Sequence, residues 1–274
     1  MKTRVIAGIC MLPLLLIIYF GGPVLAVAAA IIGYVGITEF YNGWEALDVH
    51  PSKTIAYVMI TLLYVFHFAV VYSGMGEKMT VILPWAVMLW FVIAVAAGMI
   101  YGWKITERGP YDAMATVLGL VYIPLFAYHL VLIDVFFSIF TWTVLIAAFG
   151  SDVFAYFTGY LIGKHKVAPN LSPKKTVEGC IGGIVGATAL CALYGALFFK
   201  EHIFACVLIG ILGGAVSQAG DLTASAFKRK MGIKDYGHLI PGHGGIMDRF
   251  DSVIFTAPFV FYLVLIHFAL TGQI

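Results

Sequence analysis

Nine apolar runs, at about residues 5–20, 23–38, 54–73, 80–101, 112–134, 135–163, 180–199, 203–222 and 253–271, leave this chain few choices of fold. Crossing ~30 Å of hydrocarbon as a helix takes about 20 apolar residues, and most of the runs approach or exceed that length. Lipid offers backbone groups no hydrogen-bond partner, so only helices and closed barrels span it, and runs this long and uniformly apolar read as helices. Only 11% of the 274 residues are charged and 62% are hydrophobic, against roughly a quarter charged in a soluble domain. The expectation is an all-α, polytopic integral membrane protein of about nine transmembrane helices, a single membrane-embedded unit without linker or clear repeat. The first two runs are short and joined by Gly21-Gly22-Pro23, so a re-entrant hairpin competes there with two full spans. Lys2 and Arg4 ahead of the first run also resemble a secretory signal; the run is read as an uncleaved anchor.

Orientation follows from the basic residues. With the N-terminus in the cytoplasm, fourteen of the sixteen Lys and Arg fall inside and only Lys78 and Lys200 outside, the asymmetry that positive-inside sorting produces. That predicts a multi-pass protein of the cell (inner) membrane with its C-terminus outside. Up to about residue 150 the loops are short and bland. From Ser151 onward two polar cytoplasmic loops, 164–179 and 223–252, hold nine of the basic residues. The chain therefore divides into N-terminal transmembrane helices, 1–150, and a catalytic transmembrane region, 151–274. The four cysteines show no C-x-x-C spacing and read as packing residues.

Acids inside apolar runs need a reason, because a charge at the bilayer centre costs roughly 2.5–3.5 kcal/mol. Asp152 lies in the sixth run, Asp221 ends the eighth, and Asp248 and Asp251 enter the ninth. On a helix Asp248 and Asp251 share a face with Cβ atoms ~5–6 Å apart, and at an effective dielectric of about 20 they repel by about 3 kcal/mol. A divalent cation removes that conflict, and oxygen-only ligands suit Mg²⁺ shared with substrate phosphates; helix capping is the competing account. Asp221, Ser225, Lys228 and Arg229 fall at i, i+4, i+7 and i+8 and would align an acid, a hydroxyl and two cations. A basic stripe on anionic headgroups is the alternative.

SPKKTVEG at 172–179 supplies Ser172, Lys174, Lys175 and Thr176, which suit a polyphosphate, and Glu178, which could cap the next helix. There is no P-loop signature. Asp152, Tyr156, Gly159 and Gly163 form one small-and-polar face. Asp152 sits about 18 Å from Lys164 on an unbroken helix, so either a water-filled funnel or a break at Gly150-Ser151 is expected. His243-Gly244-Gly245 offers backbone that an anion can approach closely. His67, His129 and His267 stand singly in apolar runs and read as packed side chains.

The stretch SAFKRKMGIKDYGHLIPGHGGIMDRFD, from Ser225 to Asp251, resembles the motif of the phosphatidate cytidylyltransferase (CDP-diacylglycerol synthase) family. Asp152, the 172–179 segment, Gln218, Gly220 and Asp221 resemble that family's upstream segments, so the likeness covers about 150 to 252. It implies transfer of CMP from CTP to phosphatidate at the cytoplasmic face of the bilayer, with Mg²⁺ as cofactor and no role for nucleic acid. It implies Asp221, Asp248 and Asp251 as metal ligands, with Asp152 a fourth. Lys228, Arg229 and Arg249 would act in catalysis beside those acids, and Ser172, Lys174, Lys175, Thr176, Ser225, Lys234, His243, Gly244 and Gly245 would bind substrate. A second, monovalent cation and a homodimer stay open. Two rivals compete. A transporter would place its ionisable groups near the midplane in broken helices, whereas here they gather at one rim. A CTP-dependent polyprenol kinase would pass on only the terminal phosphate.

Overall fold

The computed structural model describes residues 15–75, 78–239 and 244–273. The described residues are mostly helical, with one small hairpin and short connecting turns. Its helices are α1 (Gly22–Trp44), α2 (Lys53–Val71), α3 (Lys78–Tyr101), α4 (Pro110–Leu120), α5 (Phe126–Phe137), α6 (Thr141–Ile162), α7 (Val177–Phe198), α8 (Ile203–Lys230) and α9 (Met247–Leu270). Strands β1 (Lys166–Ala168) and β2 (Ser172–Thr176) pair antiparallel between α6 and α7.

Among the described residues seven helical stretches are long and apolar enough to cross a membrane. One of them, Pro110–Ile162, has 53 residues, about 80 Å at 1.5 Å per residue, far more than a bilayer's core. It joins two of the runs read from sequence, and the helix is interrupted where Phe137 leaves helical dihedrals (φ −144°, ψ 47°) ahead of the turn Ser138–Phe140. Residues 1–14, and with them most of the run at about 5–20, lie outside the described residues.

Two compact units make up the chain, Met1–Val131 with Met231–Arg249, and Leu132–Lys230 with Phe250–Ile274. In the first, buried aromatic and polar side chains tie the helices together. Tyr41 Oη donates to the Thr116 carbonyl at 2.7 Å and Trp90 Nε1 to that of Met59 at 2.7 Å. His67 is a packing residue, buried 2.9 Å from the Tyr128 hydroxyl. The Asp112 carboxylate accepts from the N–H groups of Gly109 and His50, each at 2.6 Å, closing the start of α4.

In the second unit α6, α7 and α8 approach so closely that small residues are obligatory. A Cβ added at Gly210 would strike the Thr188 backbone. Without a hydrophobic force between helices in lipid, such close contact and interhelical hydrogen bonds hold them together. Gln218 Nε2 donates to Ser151 Oγ and to the Cys180 carbonyl, both at 2.9 Å, and Ser151 Oγ donates to the Gly214 carbonyl at 3.1 Å. Helix α6 runs without a break through Gly150 and Ser151. His267 is not alone, since His202 Nδ1 lies 3.1 Å from its Nε2.

Both polar loops contain regular structure among the described residues. The 164–179 segment folds into the β1–β2 hairpin, and α8 carries on to Lys230, so 223–230 is helix.

Candidate active site

Helix α8 places Asp221, Ser225, Lys228 and Arg229 along its C-terminal end, as the i, i+4, i+7, i+8 spacing requires. Lys175 on β2 makes an ion pair with Asp221. Asp251, in the first turns of α9, is only 5% exposed, and the charges that act on it are those of Asp221, Lys228 and Asp152. Its Oδ1 accepts from the Ser252 N–H at 2.7 Å. Within this unit, acids from α6, α8 and α9 thus share one region with Lys175 and Lys228.

The hairpin is fastened to that region. Arg229 Nε donates to the Leu171 carbonyl at 3.3 Å at its turn. Glu178 reaches back to take the Lys164 and His165 N–H groups at 3.0 and 3.2 Å and lies 2.6 Å from His165 Nδ1. The cap expected of Glu178 is made instead by Thr176, whose Oγ1 accepts from the Gly179 N–H at 3.2 Å. Thr176 is consequently buried and engaged, while Lys174 is exposed and Ser172 half-buried on the same strand.

Asp251 is the buried acid of this group, and a buried charge demands a partner. All-oxygen donors of that charge fit Mg²⁺. Among the described residues no three His, Cys, Asp or Glu side chains converge as a ready cage. Mg²⁺ does not need one, because it is held by one or two carboxylates and keeps waters and substrate phosphates as its other ligands.

The remaining motif residues lie in the first unit. Asp248, 8% exposed, uses Oδ2 to accept from the N–H groups of Tyr236 at 2.8 Å and Gly245 at 3.0 Å. It ties Tyr236 and Gly245 to the start of α9. Gly244 has φ +82°, and a Cβ there would meet the Asp248 carboxylate at 2.8 Å, so glycine is required twice over. Lys234 is exposed. Arg249 is half-buried with its Nε sequestered and lacking a hydrogen-bond partner among the described residues. His243 lies outside the described residues.

Sequence reasoning missed Glu39. It lies on α1, 8% exposed, and takes the N–H groups of Ile246 and Met247 at 3.1 and 2.9 Å. These are two of the orphan donors at the N-terminus of α9, where a negative charge also meets the positive end of the helix dipole. A Cβ at Gly237 or Gly245 would collide with this carboxylate, which explains two glycines of the motif. The signal was available: an acid inside an apolar helix is as costly at Glu39 as at Asp152.

A sequence profile of the cytidylyltransferase family matches residues 2–267. A phosphatidate cytidylyltransferase of Rickettsia bellii is 36% identical over 199 residues, 65% of this chain and 81% of that protein. Proteins of the same name from Synechocystis sp. and Bacillus subtilis are 47% identical over 118 residues and 43% over 121, covering 42% and 43% of this chain. The matched stretch spans only 40% and 45% of those two relatives' lengths. With the profile spanning nearly the whole sequence, the chain belongs to the cytidylyltransferase family.

Proposed function

We propose that this protein transfers CMP from CTP to phosphatidate, forming CDP-diacylglycerol and releasing pyrophosphate at the cytoplasmic side of the membrane. The observation that supports it most is the buried Asp251 beside Asp221, Asp152 and Lys228, with Lys175 paired to Asp221, in a chain whose relatives carry the name phosphatidate cytidylyltransferase. A phosphatidate oxygen attacks the α-phosphorus of CTP; a P–O bond forms there and the bond to the pyrophosphate oxygen breaks. The protein's part is positioning and charge neutralisation, as in phosphoryl transfers generally. Asp221 and Asp251, with Asp152 beside them, are the proposed Mg²⁺ ligands, and the bound ion would neutralise triphosphate charge. Lys175, Lys228 and Arg229 hold phosphate oxygens, and Lys174 and Ser172 extend that surface along β2. Asp248 is assigned first to the shape of its loop, through the two N–H groups it accepts. Lys234, His243, Gly244 and Gly245 are carried over from the family resemblance as nucleotide contacts, with Ser225 and Arg249.

The test follows the phosphorus. Purified protein receives phosphatidate, Mg²⁺ and CTP labelled at either the α or the γ position. The α-label is expected in lipid and the γ-label in released pyrophosphate. Label from the γ position in lipid would establish a kinase instead, and no lipid labelling at all would favour the transporter.

Orientation is proposed from the basic residues, with the N-terminus and the β1–β2 hairpin in the cytoplasm and the C-terminus outside. Lys174→Cys and Lys230→Cys place thiols at exposed positions. In a background without the native cysteines, impermeant maleimides are expected to label both only after the cells are opened. Labelling of either in sealed cells would reverse the orientation.

A further inference from the structure

We propose that the groove between the end of α3 and the start of α4 seats a singly charged phosphodiester phospholipid, its headgroup phosphate on Arg108 and one acyl chain along the groove's apolar walls. The cavity measures about 840 Å³. Val95, Met99, Ala113, Met114, Val117 and Val121 supply the walls, and Arg108 is the one ionisable side chain in its lining. Such a cavity calls for hydrocarbon with one anionic end.

The groove is preformed. A Cβ at Gly98 would meet Val117 Cγ2 at 2.5 Å and one at Gly102 would meet Ala113 Cβ at 3.0 Å, so the two helices are locked together beneath it. The loop above is closed by Asp112 on the Gly109 N–H and by the Glu107 and Arg108 N–H groups on the Lys104 carbonyl, each at 2.9 Å. Ligand sites are commonly rigid and apolar in this way, with few polar groups to fix orientation.

Charge decides the headgroup. Lys104 is already paired with Glu107 at 3.6 Å. Arg108 has no carboxylate within ion-pair distance among the described residues; its guanidinium lies over the Tyr101 ring, 4.0 Å from the centroid. Stacking on an aromatic face leaves the in-plane donors of the fork for a phosphate. One unpaired cation matches one negative charge, which a phosphodiester lipid carries and a phosphomonoester exceeds. Trp103 and Tyr111, 75% and 70% exposed, flank the site as aromatics do at the level of lipid headgroups.

The full chain, reconstituted with equal amounts of phosphatidylglycerol and phosphatidylcholine, is extracted in mild detergent and its retained lipid weighed by native mass spectrometry. Wild type is expected to hold phosphatidylglycerol about fivefold over phosphatidylcholine, the gain from one interfacial arginine. Arg108→Gln should abolish the preference, and Met99→Trp, which fills the groove without touching the loop, should reduce retention of both lipids. Equal retention in wild type, or a preference that survives Arg108→Gln, would overturn the proposal. So would a preference for phosphatidate in a third arm containing it. The readout is lipid mass, so it stands apart from the outcome for CMP transfer.

Discussion

Asp251→Asn is expected to slow CMP transfer by about 10²–10³-fold, the loss typical when one preorganised electrostatic group is removed from a polar transition state. The substitution keeps shape and keeps an oxygen for the Ser252 N–H, so it removes little except the charge. That charge is buried among Asp221, Asp152 and Lys228, where it is worth most because water does not screen it. Asp248→Asn is the informative contrast. Its Oδ2 serves the N–H groups of Tyr236 and Gly245, and an amide oxygen in the same place accepts both. We expect a loss below about tenfold there, of the size of one weakened charge-assisted hydrogen bond. Initial rates of α-label incorporation into lipid, at saturating Mg²⁺ and equal amounts of inserted protein, separate the two. Equal large losses would bring the charge of Asp248 into the reaction, and no loss in Asp251→Asn would remove that residue from the site.

That contrast was invisible in the sequence. The i,i+3 spacing put both acids on one helical face, and the helix is there, but spacing could not tell that a backbone loop occupies Asp248. Periodicity did carry Asp221, Ser225, Lys228 and Arg229 correctly onto one helix, because polar residues spaced by turns keep their register when a helix leaves the membrane. Hydropathy alone found the apolar segments. It missed how they join: Pro124, a breaker by rule, sits inside a π turn at Val121–Leu125 that absorbs it. The chain bends instead at Phe137, where neither Gly nor Pro marks the place. The grouping of 231–249 with the first helices was illegible for a related reason. It depends on Glu39 and Phe40, and the Phe40 ring lies 5.9 Å from that of Tyr236. Contacts across some 200 residues leave no trace in local pattern.

Glu39→Ala is expected to destabilise the protein by about 2–5 kcal/mol, from two buried N–H donors left without an acceptor and the loss of a charge at a helix N-terminus. Glu39→Gln should fall between, since its carbonyl can serve one donor while its amide faces the other. Thermal unfolding in detergent, followed by tryptophan fluorescence, should rank wild type above Gln and Gln above Ala. A wild-type unfolding temperature in Glu39→Ala would show that the loop does not depend on this carboxylate. Gly245→Ala tests the same contact from the other side, because its Cβ would collide with the Glu39 carboxylate. In the wild-type background that collision forces the loop or the acid to move. Once Glu39 has been shortened to alanine the space is vacant, so the second substitution should cost distinctly less than it does alone. Residues in contact show coupling of about 0.5–3 kcal/mol in such a cycle. A cost for Gly245→Ala that is the same in both backgrounds would mean that something other than Glu39 demands glycine at that position.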